Sequence, residues 1–269
     1  MKTTLLSLSL ALSLNILSQT VKVDPGYRYV YKETTLETDD YKIYVEDGLS
    51  VESKAKFRVR VFNKTNDYLM IKPSDITFVI EGKNFTSTDK PFFVVPNDEA
   101  TKVIDAKGNG MQVNKYTVEI KNVYKLTANS PSLKVTDFDI PLTAKSFTAG
   151  NFKCDVKSAA IKTEKTLLKF ECIYTGDAIG ILAPTTAVAI MPRGQENPNV
   201  NRNKGMLLEK GKSDNFLLDF KEVKNGGDMQ REKFKIKWND TFKESNPEPI
   251  AGGKFDMDMD PVKTSEKNK

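Results

Sequence analysis

The stretch 111–122 reads MQVNKYTVEIKN, and its second half alternates strictly between apolar and polar residues. In an extended strand Tyr116, Val118 and Ile120 would share one face, with charged and hydroxyl side chains on the other. A period of two with one apolar face is typical of a strand half buried in an antiparallel sheet. This stretch therefore predicts β-structure.

A related stretch begins 118 residues later, at 229 rather than 111, and reads MQREKFKIKWND. Its apolar face would be formed by Phe234, Ile236 and Trp238, at the same alternate positions as in the first stretch. Self-similarity at a fixed spacing is the sequence signature of a structural repeat. The pair of stretches therefore indicates two copies of one unit.

Two upstream pairs of segments keep the same order. Lys56–Val61 matches Lys169–Tyr174 with an offset of 113, and Met70–Pro73 matches Ile181–Pro184 with an offset of 111. A duplication followed by small loop insertions explains offsets that drift by a few residues. Many short strands between turns rich in Asn, Asp, Gly and Pro predict an all-β chain of two tandem immunoglobulin-like antiparallel β-sandwich domains.

The predicted boundaries are a signal peptide at 1–18, a first repeat at 19–147, a second repeat at 148–261 and a flexible tail at 262–269. The segment 133–140 fits either repeat. Residues 255–261 resemble 137–141, which favours a final strand in each repeat.

The predicted signal peptide has one early cation, Lys2, before an apolar run that is too short to span a bilayer. Ser18 and Gln19 flank the expected cleavage point, and no cysteine follows the run to carry a lipid anchor. No later segment is long and apolar enough to cross a membrane. The expected location is therefore outside the cytoplasm: secreted, periplasmic or at the cell surface.

The amino-acid composition narrows the kinds of catalytic and metal site that the chain could form. The chain has no histidine, which excludes Ser-His-Asp and Cys-His catalysis and metal sites that need imidazole. The net charge of +5 comes from interspersed charges, and it predicts no nucleic-acid partner. The acidic string at Asp256 resembles the start of a calcium loop, but Pro261 and Lys267 stand where an EF-hand needs glycine and glutamate. We expect no metal and no cofactor.

Cys154 and Cys172 are the only cysteines, and in an exported chain they predict a disulfide bond. Aligning the repeats matches Cys154 with Ile43 and Cys172 with Val59, which are apolar inward positions. The first repeat has no cysteine pair, so the fold itself should not require the bond.

Two rows of residues are candidate ligand-binding positions: Tyr27, Tyr29 and Tyr31, and Lys233, Lys235 and Lys237. Exposed tyrosines could stack on a sugar or contact a protein, but half-buried strand positions also suit tyrosine. The lysines could face an acidic ligand, but the aromatic residues between them point to the opposite face. We therefore favour a solvated face as the interpretation of the lysine row.

Taken together, the sequence predicts an exported protein that is not an enzyme and has an interaction or structural role. The expected partner is another envelope or extracellular protein, and a glycan remains an alternative. A carbohydrate-binding module would need an exposed aromatic platform around Tyr27, Tyr29, Tyr31 or Trp238. A carboxylate-based hydrolase would need a cleft with two facing carboxylates, and no catalytic residue is assigned. Immunoglobulin-like sandwiches occur in adhesins, envelope proteins and appendage modules, so the fold alone does not give the function.

Overall fold

The computed structural model describes residues 24, 26–202, 205–222 and 227–269, so the predicted signal peptide lies outside the described residues. Within these ranges the chain is almost entirely antiparallel β-structure, which confirms the predicted all-β class.

The strands of the first half are β1 (Tyr29–Val30), β2 (Thr34–Glu37), β3 (Tyr41–Val51), β4 (Lys54–Asn63), β5 (Tyr68–Ile71), β6 (Ile76–Ile80), β7 (Lys83–Thr86), β8 (Phe92–Val94), β9 (Glu99–Lys107) and β10 (Lys115–Leu126). The strands that follow are β11 (Phe138–Ile140), β12 (Ser146–Ala149), β13 (Phe152–Lys162), β14 (Lys165–Tyr174), β15 (Ile179–Leu182), β16 (Val188–Ile190), β17 (Glu196–Pro198), β18 (Met206–Leu208), β19 (Ser213–Lys221), β20 (Phe234–Lys237), β21 (Phe242–Ser245) and β22 (Glu248–Asp258). The 3-10 helices are η1 (Pro73–Asp75) and η2 (Pro184–Thr186), and the α-helix is α1 (Pro261–Lys267).

Sandwich 1 consists of residues 26–127 and 248–269. One of its sheets has the order β1-β3-β4-β9, with β2 also on β3, and the other has the order β7-β6-β10-β5-β8, with β22 on β10. Buried side chains such as Val45, Phe57, Phe78 and Val118 fill the space between these sheets. They lie at alternate strand positions, as the period of two requires.

Sandwich 2 consists of residues 130–246. The sheet β12-β13-β14-β19 packs with two sheets of shorter strands, β11-β20-β16-β17 and β18-β15-β21. Its core is rich in aromatic residues and includes Phe152, Phe170, Phe216 and Trp238. The strand that matches β10 is broken here into β20 and β21, and Asn239 in the break has a φ of 30°.

The last strand of the chain belongs to sandwich 1, which differs from the predicted second repeat at 148–261. β22 runs antiparallel to β10 from Lys115 to Lys125, and its Phe255 and Met257 are buried in the core of sandwich 1. Phe255 lies opposite Val118 in this pairing, because the alternating sequence of β22 supplies an apolar face that fits the apolar face of β10.

The segment 133–149 opens sandwich 2 and does not close the first repeat at 147. β11 pairs with β20, and β12 pairs with β13. Phe138 lies beside Ile236 as Phe255 lies beside Val118. The resemblance between 137–141 and 255–261 thus reflects equivalent positions in the two sandwiches, although the second segment is at the opposite end of the chain. Sandwich 2 is therefore inserted between β10 and β22 of sandwich 1.

The hairpins β3–β4 and β13–β14 share one register at an offset of 111. Ile43 lies opposite Val61, and Cys154 lies opposite Cys172. Cys172 therefore corresponds to Val61, and the predicted match to Val59 was wrong by two residues. A slip of two leaves every side chain on its correct face, so the alternating pattern cannot detect it.

The last residues, expected to form a flexible tail at 262–269, form helix α1 through Lys267. Asp260 caps this helix by accepting hydrogen bonds from the N–H groups of Val262 and Lys263, both at 3.0 Å. Thr264 is buried, and Asn268 bonds to both the N–H and the C=O of Arg28. These contacts fix the helix beside β1.

Candidate functional site

The predicted tyrosine row does not form an exposed platform. Tyr31 is buried, and its hydroxyl donates to the Val113 carbonyl at 2.8 Å and lies 2.8 Å from the Ser50 hydroxyl. Burial raises the pKa of Tyr31 to about 12. Tyr27 and Tyr29 are half-buried, with their rings edge to face at 5.8 Å.

Trp238 is also buried, within the aromatic core of sandwich 2. Its ring lies 4.7 Å from Phe147 and 5.5 Å from Phe242. The largest ring system of the chain therefore serves the core and is not presented to a sugar.

The predicted lysine row is exposed, with Lys233 just before β20 and the other two lysines on it. Lys233, Lys235 and Lys237 alternate with the buried Phe234 and Ile236. Only a distant ion pair, 4.0 Å between Lys235 and Asp139, anchors the row among the described residues. The lysines are thus accessible, and the structure leaves their role as a binding surface a prediction.

The predicted disulfide between Cys154 and Cys172 is present. It joins directly opposite positions of β13 and β14, and both side chains are buried. A thiol pair in this environment suits a structural bond.

The acidic string in β22 is used by the protein itself. Lys115 contacts Asp256 at 2.7 Å and Asp258 at 3.6 Å, while Asp260 caps α1. The hydrogen bond from Lys115, followed by that from Thr117, lowers the pKa of the Asp256 carboxyl. Across the described residues no three metal-ligating side chains form a group that could hold an ion.

The sandwiches meet through an apolar cluster. Tyr68, Met70 and Leu126 of sandwich 1 pack with Ile179 and Ile181 of sandwich 2. A hydrolase would need a cleft with two facing carboxylates, whereas the buried side chains at this junction are apolar. In the described ranges, no helix has the length and apolar character that crossing a membrane requires.

The two sandwiches differ most clearly at one strand position, at the edge of β3 and of β13, which the sequence did not predict. In sandwich 1, β1 lies against the end of β3, with Tyr29 opposite Ser50 and Val30 opposite Leu49. The Tyr31 N–H then donates to the Gly48 carbonyl at 2.9 Å. Gly48 is buried, and a Cβ atom there would lie 2.9 Å from Tyr31. The position is therefore tightly filled.

The same position in sandwich 2 is open. The offset of 111 places Ala159, Ala160 and Ile161 where sandwich 1 has Gly48, Leu49 and Ser50. Among the described residues no strand or bridge pairs with this edge of β13 beyond Val156. Ser158–Ala160 are exposed and Ile161 is half-exposed. We call Ser158–Ile161 the free edge.

A cavity of about 480 Å³ lies in the same sandwich, lined by 139–143 and Lys233–Lys235. Its lining residue Phe234 corresponds to Tyr116 of sandwich 1, and Leu142 follows Ile140 by two residues as Met259 follows Met257. Tyr31 pairs with Met259 in a β-bridge, and its ring lies 4.8 Å from that of Tyr116. The lining thus includes counterparts of residues that hold Tyr31.

An alignment of the repeats at the correct register could have revealed the free edge. In sandwich 1 the segment before the first hairpin pairs with β3, whereas in sandwich 2 the corresponding segment forms β11 on another sheet. The signal is weak, since Ser158–Ala160 carry no chemical motif.

No protein-family model and no curated protein sequence matches this chain. Among solved structures, one of the exo-β-D-glucosaminidase CsxA, described with a glucosamine-configured castanospermine and an amino-australine analogue, aligns with 71% of this chain at 12% identity and a TM-score of 0.26. The chain spans 25% of that protein's length. A likeness this loose carries no argument about function.

Proposed function

We propose that this is an exported, non-catalytic interaction or structural protein of the cell envelope or extracellular space. The observation that carries the proposal is the insertion of sandwich 2 into sandwich 1. The chain passes between them twice, after β10 and before β22, and an apolar cluster packs at the junction. Two crossings and a packed junction hold surfaces on both sandwiches in one arrangement, which suits a rigid spacer that presents a binding surface.

The disulfide supports the compartment in this proposal. Cys154 and Cys172 form a buried cross-strand bond, and such bonds persist in oxidising environments outside the cytoplasm. The chain's own use of Tyr31, Trp238 and the β22 aspartates for packing and ion pairing also favours an interaction role over a sugar platform or a calcium site.

Cross-linking in the native cell, followed by affinity capture of the mature protein and mass spectrometry, tests the proposal. We expect one or two exported proteins to be recovered reproducibly. A screen of the same protein on a glycan array should be blank. Empty captures with clear glycan binding would contradict the proposal and favour the carbohydrate-binding alternative.

A further inference from the structure

We propose that sandwich 2 binds an acidic, extended segment of a partner protein, which adds as an antiparallel strand to the free edge Ser158–Ile161. This inference rests on the proposed function in that the partner is a protein, and it names the chemistry of the segment and the place where it binds. Addition of a peptide strand to a sheet edge is a recurring recognition mode, in which main-chain hydrogen bonds provide affinity and side-chain pockets provide specificity.

The backbone of the free edge has the geometry for this addition. In sandwich 1 the Gly48 carbonyl points at β1 and accepts from Tyr31. Because backbone groups alternate in direction along a strand, the N–H and C=O of Ser50 point the same way. The counterparts Ala159 and Ile161 therefore direct a carbonyl and an N–H towards the open side of β13.

The cavity lining indicates the anchor of the added strand. Tyr31 holds this place in sandwich 1, over Tyr116 and next to Met259. In sandwich 2 the matching residues are Phe234 and Leu142. Ser50, which bonds to the Tyr31 hydroxyl, is replaced by Ile161. An anchor without a hydroxyl, such as phenylalanine, suits these apolar neighbours because it leaves no polar atom without a partner.

The charges around this position differ between the two sandwiches. In sandwich 1, strand β3 carries the carboxylates Glu46 and Asp47, which pair with Arg60 and Arg58 of β4. The sequence offset of 111 places Lys157 where sandwich 1 has Glu46 and Lys162 where it has Val51, and Lys157 pairs with Glu171 at 2.5 Å. One residue beyond the last pair of β11, Pro141 takes the place of Asp258 in β22.

Two lysines of sandwich 2 lie where they could meet an added strand: Lys162 follows Ile161 of the free edge, and Lys233 lines the cavity. Lys233 corresponds to Lys115; Asp139 is the counterpart of Asp256, which contacts Lys115 at 2.7 Å, whereas Pro141 replaces Asp258, the partner at 3.6 Å. Among the described residues neither Lys233 nor Lys162 has an ion-pair partner, and both are exposed. A carboxylate on the added strand would supply the missing charge, whereas a cationic segment would be repelled.

Lys162 and Lys233, which are unpaired among the described residues, favour a more acidic occupant than the chain's own β1 segment. A second copy could offer residues 26–33, but their Arg28 and Lys32 would meet lysines at the free edge. The occupant is therefore a segment of a different protein, rich in Asp or Glu around an apolar anchor.

Two synthetic peptides of residues 26–33 test the charge and the anchor. Both carry Y31F, and only one also carries R28D and K32D. We expect the acidic peptide to bind the mature protein at least tenfold more tightly in fluorescence anisotropy, and to shift the amide resonances of 158–161. Raising the salt concentration should weaken this binding, because part of it is electrostatic.

Variants of the protein test whether the peptide binds at the free edge. Ile161→Pro removes the outward N–H, which a free edge tolerates, while Ile161→Ala removes the side chain and keeps the N–H. We expect I161P to reduce the affinity for the acidic peptide at least tenfold and I161A to reduce it far less. Lys233→Glu should weaken binding about fivefold, whereas the matched variant Lys237→Glu, at the other end of β20, should leave it unchanged.

Equal binding of the two peptides, or equal loss in I161P and I161A at unchanged thermal stability, overturns this inference. Equal effects of K233E and K237E also overturn it. The proposed function fails separately: capture of an exported partner that persists in I161P would leave the proposed function standing and remove the free edge as the binding site.

Discussion

Sandwich 1 and sandwich 2 share a hairpin register and differ in how their outer strand positions are filled. Ile43 and Val61 correspond to the disulfide pair Cys154 and Cys172, and both 3-10 helices open with proline. In sandwich 1 the residues before β2 stay on the β3 sheet, and β22 covers β10. In sandwich 2 the residues before β12 cross to β20, and the free edge remains.

The difference shows that one segment cannot fill two places. The residues that precede the first hairpin can pair with its edge, as β1 does, or with the opposite sheet, as β11 does. Sandwich 1 fills both places only because the distant β22 supplies the second strand. Sandwich 2 has no such third segment among the described residues, so a core of the same plan retains an unpaired edge.

Removing residues 246–269 should have the largest effect, because sandwich 1 would lose β22 and its buried Phe255 and Met257. Burying each of these side chains contributes about 1.5–3 kcal/mol, and a whole domain is stable by only about 5–15 kcal/mol. We expect sandwich 1 to unfold and sandwich 2 to remain folded.

Hydrogen exchange resolved by residue would check the truncation, with the fluorescence of Trp238, the single tryptophan, reporting on sandwich 2. Protection of β3 and β4 equal to that of the full chain would contradict the assignment of β22 to the core of sandwich 1.

The disulfide gives the next largest effect. Replacing Cys154 and Cys172 with alanine should lower the free energy of unfolding by about 3 kcal/mol, because a loop of this length is no longer closed in the unfolded chain. The matched variant C154I with C172V copies the Ile43 and Val61 pair and should recover part of the loss through packing. Urea denaturation measures both, and identical midpoints for the two variants would contradict the equivalence of these positions.

Gly48, whose edge of β3 is covered by β1, and Ala159, on the free edge of β13, occupy equivalent positions and can be compared by substitution. Gly48→Ala should lower the free energy of unfolding by about 1–3 kcal/mol, because the new Cβ would lie 2.6 Å from the Met257 methyl group. Ala159→Val adds two methyl groups at the free edge and should change it by less than about 0.5 kcal/mol. Thermal unfolding compares them, and a larger loss in A159V would mean that the edge of β13 is covered.

The smallest effect concerns Asp256, whose pKa is lowered first by the hydrogen bond from Lys115 and next by that from Thr117. A lowered pKa in the folded protein gives stability that is present above the ordinary value and lost as the pH falls through the lowered one. Asp256→Asn should therefore be slightly less stable than the wild type at pH 7 and equal to it near pH 2.

Asp139 is the matched control for Asp256, since its carboxylate lies 4.0 Å from Lys235. We expect Asp139→Asn to be closer to the wild type at pH 7, because the longer ion pair is weaker. Thermal unfolding over a pH series compares the two variants, and a difference between D256N and wild type that grows towards acid would contradict the sign.

Local patterns predicted much of this fold. The match between the stretches at 111 and 229 holds in the structure, since Met111 and Met229 are both buried and donate to the carbonyls of corresponding turn residues. Alternation in β10 and β20 also gave the correct faces. The register of β4 and β14 was wrong because a shift of two preserves every face.

Long-range features could not be predicted from the pattern. The pairing of Tyr116 with Met257 joins segments far apart in sequence, and nothing local to β22 specifies which apolar face it covers. Of the candidate site residues, the cysteines were found because each of two thiols in a chain predicted to be exported has only one possible partner. The free edge was missed because what defines it is the lack of a neighbouring strand beside Ser158–Ile161 among the described residues, and no residue type signals that.

The position of β22 has a consequence for the order in which the two sandwiches fold. Sandwich 2 is continuous from 130 to 246, so every segment it needs is made before β22. Sandwich 1 begins first during synthesis, yet Tyr116 must wait for Met257 before its side of the core closes. Contacts between distant segments form slowly, and a core that waits exposes apolar surface to other chains. The first sandwich to be made is therefore the last to be completed.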